Sequence, residues 1–378
     1  MKNSIKAALA GASIFTCASM ASAADLNFAG GWPPNSGPTK AIEGFAEAVS
    51  EYSNGEVNVR VFPLSLLSFG EINGGLQDGI ADMAVNLTPY FPAEFPNLNM
   101  LAEYAMLTEL EEFSGELAAA AYSGAITEHI MTKCPTCMDE VAAQNQVYMG
   151  SASSSVYALQ CVVPLETVDD LKGKRIRAAG AYWARWAETV GAVPVSMSIN
   201  ETLEGLNQGV VDCTASNTAD FLNFGFVDVV DHVYLGLPGS LFIAPFSMNK
   251  DTWNGLAASE KTALIKGNAK LMADMTWVFV EEGRAGREKA EEKGITYETA
   301  SPELVAMNRD FVANDKDGVA AIYKERFGIE GGSDALAAMT ELLGKWTTLV
   351  SDATGPEDLS EIYWNEIFAK MDVANYGK

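Results

Sequence analysis

The sequence predicts an α/β fold built as two domains. Three observations carry this expectation. Strand-like and helix-like runs alternate along most of the chain. The length suffices for two separate cores. Near the middle, the small-residue run Ser151-Ala152-Ser153-Ser154-Ser155 lies between two strand-like segments, as a hinge or crossover between domains would.

Taken in order, residues 1–23 read as an export signal. Lys2 and Lys6 give the positive start, residues 7–20 the apolar stretch, and Ala21-Ser22-Ala23 the cleavage site. The apolar stretch is too short to span a bilayer convincingly. Cleavage after Ala23 leaves 355 residues and, by removing two lysines, shifts the net charge from −25 to −27. Strands are expected at 25–29, 57–62 and 81–86, with helices at 39–53 and 70–78. An aromatic and proline-rich loop over 87–96 follows, then a helix over 109–132, a cysteine loop and a strand at 146–150. Beyond the serine run come strands at 156–161 and 174–178, a helix at 182–190 and a strand at 193–195. A helix at 200–207 and strands at 211–214 and 242–249 complete the second run. Residues 259–293 read as one long helix with Ser259 as N-cap and Gly294 as C-cap. At ~1.5 Å per residue it extends on the order of 50 Å, enough to lie across both domains. Helices over 302–327, 333–350 and 357–371 close the chain.

So acidic a chain argues against nucleic acid and anionic membranes as partners. Four cysteines remain in the exported chain, which suggests two disulfides. Of the three pairings, Cys134–Cys137 with Cys161–Cys213 is favoured. The Cys-Pro-Thr-Cys segment also admits redox and zinc readings. No second CxxC exists and only His129 and His232 could add imidazole, so no metal site is expected. A helical stretch, not the strand of a thiol-redox fold, precedes the pair, which favours a structural bridge. A hydrolase would need a nucleophile with its base or two poised carboxylates; no G-x-S-x-G elbow is found. No enzyme activity and no cofactor are expected.

The most informative stretch is DDLKGKRIRAAG, residues 169–180, a basic spot within an acidic chain. It sets Arg177 at the end of a strand, just before a helix, where a planar guanidinium can meet a carboxylate and the helix N-terminus also favours an anion. Arg175 shares its strand face by alternation but lies farther from the helix.

With that stretch, ETVGAVPVSMSINETLEGLNQGVVDC (188–213) and LQDGIADMAV (76–85), the chain resembles the extracytoplasmic solute-binding proteins of TRAP (tripartite ATP-independent periplasmic) transporters, the C4-dicarboxylate-binding type. Their pattern is a DLKG-K-hydrophobic-R-hydrophobic strand, a helix ending in GA-P-V-P, a helix with ALQxG and a VDG strand. The resemblance covers essentially the whole exported chain. It implies a two-domain periplasmic-binding-protein-like α/β fold with a ligand cleft between domains and a long helix spanning both. The expected division is 24–154 plus 240–282 against 155–239 plus 283–378. It further implies a periplasmic monomer that captures a small carboxylate by domain closure and hands it to a membrane permease.

Residue by residue, the resemblance gives Arg177 as the carboxylate anchor and Asn217 as a polar ligand contact. Tyr157 stands where some carboxylic-sugar binders carry a second arginine, which puts dicarboxylates and sialic-acid-type ligands in doubt. Cys213 replaces the glycine of VDG, consistent with its being bonded. Further candidates for the cleft are Asn86 and Thr88 for orientation, and Trp32, Tyr90, Phe91, Trp183 and Phe221 for its walls, with Trp186 and Phe224 nearby. Such walls suit an acid with an aromatic or aliphatic tail. Alternatives are a betaine-like zwitterion held by Arg177 and an aromatic cage, or a thiol oxidoreductase using Cys134 and Cys137.

Overall fold

The computed structural model describes residues 23–298 and 300–378. The export signal therefore lies outside the described residues except for Ala23. The strands are β1 (Ala24–Gly30), β2 (Val57–Pro63), β3 (Met83–Val85), β4 (Gln146–Ser153), β5 (Tyr157–Cys161), β6 (Arg175–Arg177), β7 (Val193–Val195), β8 (Cys213–Asn217), β9 (His232–Tyr234), β10 (Ile243–Asn249) and β11 (Thr296–Glu298). They form two sheets, ordered β2-β1-β3-β10-β4 and β11-β9-β5-β8-β6-β7. In the first, β1, β2 and β3 run parallel and β10 is antiparallel to both its neighbours. In the second, β6, β7 and β8 run parallel, while β5 is antiparallel to β8 and β9. The α/β reading of the sequence holds.

The chain passes between sheets over residues 154–156 and returns over 235–242. The serine run is thus only partly a crossover: Ser151 to Ser153 still pair with β10, and the crossing is the shorter segment after them. Several helical stretches escape the sequence reading, among them the short helices Asp220–Asn223 and Lys250–Gly255 and two longer ones. Pro96–Glu103 starts at the last residue of the aromatic loop, and Pro135–Ala143 replaces the expected cysteine loop. Pro135 occupies the first turn, where its missing N–H costs nothing, and Cys134 is the N-cap. Both cysteine pairs are bonded as favoured: Cys134–Cys137, and Cys161–Cys213 across the β5–β8 ladder with Cα atoms 4.0 Å apart.

Ala258–Glu292 is the long helix, 35 residues. Its N-cap is Ala257, not Ser259; the Glu260 carboxylate accepts from the Ala257 N–H at 2.6 Å. Lys293 is the C-cap and Gly294, at φ +77°, follows it. This helix touches both sheet units at glycines. A Cβ on Gly267 would meet Val49 at 2.6 Å, and one on Gly286 would meet the Thr218 carbonyl at 2.1 Å. Between them, the Glu282 carboxylate accepts from the Gly37 N–H at 2.8 Å and from Asn223 Nδ2 at 2.9 Å. One side chain so ties the first unit to the second.

The final helices, Gly332–Val350 and Pro356–Glu366, correct an expectation. The sequence reading placed 283–378 with the second domain, yet these helices pack on the first unit. The Tyr363 hydroxyl donates to the Ala120 carbonyl at 2.8 Å, Tyr104 donates to Gly332 at 2.9 Å, and Tyr376 donates to Tyr148 at 2.5 Å. Gly124 leaves the space that the Trp346 ring fills. An amphipathic pattern specifies that a helix has an apolar face, not which neighbour receives it.

Candidate functional site

The parallel strands of both sheets point their carboxyl ends toward one crevice, the place where open α/β sheets gather ligand groups. Trp32 follows β1, and Leu87, Pro89 and Tyr90 follow β3. From the second sheet come Arg177 and Ala179 at the end of β6, Ile199 beyond β7, and Asp220 and Phe224 beyond β8. Tyr157 at the start of β5 and Phe242 and Ile243 at the return crossing close the cavity. Its walls are mostly aromatic. Trp32 meets Phe69 edge-on with ring centroids 4.7 Å apart, and Tyr157 stacks on Trp183 at 4.3 Å.

Arg177 is buried, 1% exposed. Its Nε donates to the Met197 carbonyl at 3.1 Å, Nη1 to the Ala215 carbonyl at 3.3 Å, and Nη2 to the Tyr90 hydroxyl at 2.9 Å. All three partners are neutral. The Tyr90 hydroxyl also accepts from the Ile199 N–H at 3.0 Å, so one phenol of the first unit bridges two elements of the second. Arg175, two residues back, is spent differently. It sits at the half-exposed end of the strand and grips Asp212 in a bidentate pair, at 3.1 and 2.7 Å.

Of the sequence candidates, the structure brings Arg177, Tyr157, Trp32, Tyr90 and Trp183 to the cavity. The others lie elsewhere. Asn86 is fully buried in an amide network with Asn73 and Gln146, at 3.2 and 3.1 Å. Thr88 is buried and its carbonyl accepts from Asn99 Nδ2 at 3.0 Å. Phe91 closes the short 3-10 turn Thr88–Tyr90 and packs against the core, because that turn directs Tyr90 rather than its neighbour into the crevice. Phe221 is buried under the long helix near Gly286; the short helix Asp220–Asn223 turns Phe224 to the cavity instead. Trp186 is buried and does not line the cavity.

Asn217 is the most instructive correction. It is not a wall residue; its Oδ1 accepts from the Ala219 N–H at 3.1 Å and its Nδ2 donates to Asp220 Oδ2 at 3.3 Å. Asn217 positions Asp220, and Asp220 lines the cavity. Burial pushes the Asp220 carboxyl up to about 7, although the Arg177 charge and a Ser216 hydrogen bond pull it down; Glu282 adds to the rise. Burial likewise pushes the Tyr157 hydroxyl far above its ordinary value, against the charge of Arg177, so it stays protonated. The sequence offered no sign of Asp220, whose short helix Asp220–Asn223 lies where no element was expected.

Residues 28–314 match the family model for bacterial extracellular solute-binding proteins, family 7 (DctP). The chain belongs to that family. A solute-binding protein of Chromohalobacter salexigens is 23% identical over 280 residues, 70% of this chain and 77% of that one. The C4-dicarboxylate-binding periplasmic protein DctP of Rhodobacter capsulatus is 23% identical over 266 residues, 70% and 76% of the two chains. Among solved structures, a marine metagenome TRAP solute-binding protein specific for aromatic acids, in complex with metahydroxyphenylacetate, superposes with a TM-score of 0.71 at 19% identity. It covers 85% of this chain and 99% of its own. DctP7 of Bordetella pertussis, an extracytoplasmic solute receptor binding pyroglutamic acid, gives 0.67 at 19% identity, covering 84% and 100%. This family member thus has the TRAP solute-binding fold. The family is extracytoplasmic, and among the described residues no helix is long and apolar enough to cross a membrane. Neither the zwitterion reading nor the thiol-oxidoreductase reading gains support from these matches.

Proposed function

We propose that this solute-binding protein captures a small organic monocarboxylate between its two sheet units and delivers it to a TRAP membrane permease. The observation that carries the reading is Arg177: a buried guanidinium in the cavity wall whose hydrogen-bond partners are two backbone carbonyls and a phenol. A buried charge with no carboxylate hydrogen-bonded to it is costly, the more so while burial favours the neutral form of Asp220, and an arriving carboxylate offsets that cost. Trp32, Tyr157 and Trp183 supply apolar surface for the rest of the ligand, and Tyr157 in place of a second cation favours one carboxylate over two. Metahydroxyphenylacetate and pyroglutamate, bound by the structural relatives, are acids of this size.

Binding requires contacts from both units and breaks no bond. Tyr90 of the first unit already reaches Arg177 of the second, so a ligand seated there adds to a contact that favours the closed form. We take the moving units to be 24–154 plus 240–282 and 155–239 with the start of 283–378, the last helices travelling with the first unit. The protein works as a monomer in the periplasm, with residues 1–23 removed.

The test is a thermal-shift screen of the mature protein against small organic acids, with hits measured by calorimetry on wild type and Arg177→Ala. A carboxylate that stabilises the wild type and is lost from the variant supports the reading. Equal binding by both would sink it. Light scattering of the purified protein checks the monomer.

A further inference from the structure

We propose that Asp220 is a second recognition group, so that the pocket selects a carboxylate carrying its own N–H or O–H donor and Asp220 accepts from that donor. The proposal rests on the carboxylate-binding reading above and deepens it. Asp220 is 3% exposed and shares one cavity with Arg177. Its position is built rather than incidental: Asn217 holds one of its oxygens, and the Ala219 N–H holds Asn217 in turn.

The charged and titratable groups acting on Asp220 come from three elements: Arg177 of β6, Tyr157 of β5 and Glu282 of the long helix. Ser216 and Asn217 contribute hydrogen bonds from the end of β8, the strand before it. Into this setting a plain monocarboxylate would satisfy Arg177 but bring a negative charge beside Asp220. A ligand with a hydroxyl, amide N–H or ammonium near its carboxylate satisfies both groups. A buried acceptor left without its donor costs more than the bond gains, which is why such sites discriminate strongly.

Protonation supplies the signature. Burial raises the Asp220 carboxyl to about 7. Above that value it is ionised and accepts strongly from a donor while repelling a donor-free acid. Below it, the neutral acid can itself donate to a bare carboxylate. Preference for donor-bearing ligands therefore grows as pH rises.

The experiment compares matched pairs by calorimetry at about pH 6 and about pH 8, on either side of that value. One pair is mandelate against phenylacetate, which differ by the hydroxyl. The other is pyroglutamate against its lactone analogue, in which ring oxygen replaces the N–H. In at least one pair, the donor-bearing member should bind about tenfold tighter or more at the higher pH, by the size of a hydrogen bond to a charged group. That gap should narrow at the lower pH. Asp220→Asn, close in shape, should keep the fold and abolish the pH dependence of the gap. A gap independent of pH in the wild type, a gap unchanged in the variant, or tighter binding of the donor-free acids overturns the proposal. If the acids bind equally to Arg177→Ala, or none binds, the carboxylate reading itself fails and Asp220 with it. If they need Arg177 but ignore the donor, only the Asp220 inference falls.

Discussion

Two arginines on one strand–helix unit are used in opposite ways. Arg185, on the helix Ala181–Thr189, is clasped by two carboxylates: Asp315 takes its Nε and Nη2 at 2.8 and 2.6 Å, and Glu103 takes Nη2 at 2.5 Å. Tyr323 donates to the same Glu103. Burial works against the Arg185 charge, but the Asp315 hydrogen bonds and the Glu103 charge outweigh it and raise its pKa. Arg177 is more deeply buried, yet its hydrogen-bond partners are neutral. The first arginine joins the helices Pro96–Glu103 and Pro302–Phe327 to its own helix. Its charge is met by two carboxylates, although its Nη1 has no hydrogen-bond partner among the described residues. The second is held in place by two carbonyls and a phenol, with no carboxylate of the described residues in hydrogen-bond contact. The acid that shares its cavity, Asp220, has its own charge suppressed by burial. Burial alone does not mark a binding residue; burial with an unmet charge in a cavity wall does.

The largest effect should come from breaking the charge-paired cluster. Arg185→Met strands two carboxylates out of water, and breaking a buried pair in this way costs about 3–5 kcal/mol. Chemical denaturation should show that loss, and Arg185→Met combined with Glu103→Gln and Asp315→Asn should recover part of it. Carboxylate binding should survive, because the groups around Arg177 are untouched. Loss of binding with unchanged stability would reverse the assignment of the two arginines.

Arg177→Met should do the opposite. Ligand affinity should fall by about 2–5 kcal/mol, roughly thirtyfold or more, as for truncation of one partner of a buried charge pair. Stability should change far less than for Arg185→Met, since relief of an unpaired buried charge offsets two carbonyls losing their donor. Paired melts and calorimetry of the two variants check this directly.

Acid should expose a third contrast. The Asp220 carboxyl is raised in the folded protein to about 7, from about 3.9 in the unfolded chain. The stability contributed by its neutral form is therefore complete below pH ~4 and is lost as pH rises through about 7. Melting of the ligand-free protein should show this component, and Asp220→Asn should remove it. An identical pH profile in the variant would mean that Asp220 is solvated in the folded state.

The sequence reveals the alternation of strands and helices, the long connecting helix and the strand–helix position of Arg177, because each depends on local periodicity and spacing. Facing is harder. Thr88, Tyr90 and Phe91 sit in one loop, and only the turn geometry decides that Tyr90 reaches the cavity. Phe221 and Phe224 lie on one turn, and the position of the long helix decides which is core. Phe69 and Phe242 give no local signal, since an aromatic in a strand or loop reads as packing until the opposite sheet is placed. Asp220 is hidden for a related reason: its four-residue helix leaves no periodicity to read, and an acid between strands reads as a solvated group until the opposite sheet is placed.

The smallest effect concerns closure rather than the ligand. Asn200 is not a wall residue of the cavity, yet its Nδ2 donates to the Gly31 carbonyl at 3.0 Å and its Oδ1 accepts from the Phe69 N–H at 3.2 Å. Both partners belong to the first unit, whereas Asn200 lies in the first turn of the helix Ile199–Asn207 of the second. These bonds exist only when the units meet. Asn200→Ala should remove two contacts worth about 0.5–1.5 kcal/mol each from the closed form alone. Because ligand first meets the open form, association should be nearly unchanged and dissociation faster, by about fivefold to about 150-fold. Stopped-flow binding separates these rates. An equal fall in association would place Asn200 in ligand entry, and unchanged rates would remove it from closure; either result would leave Tyr90 as the side chain that couples the first unit to Arg177.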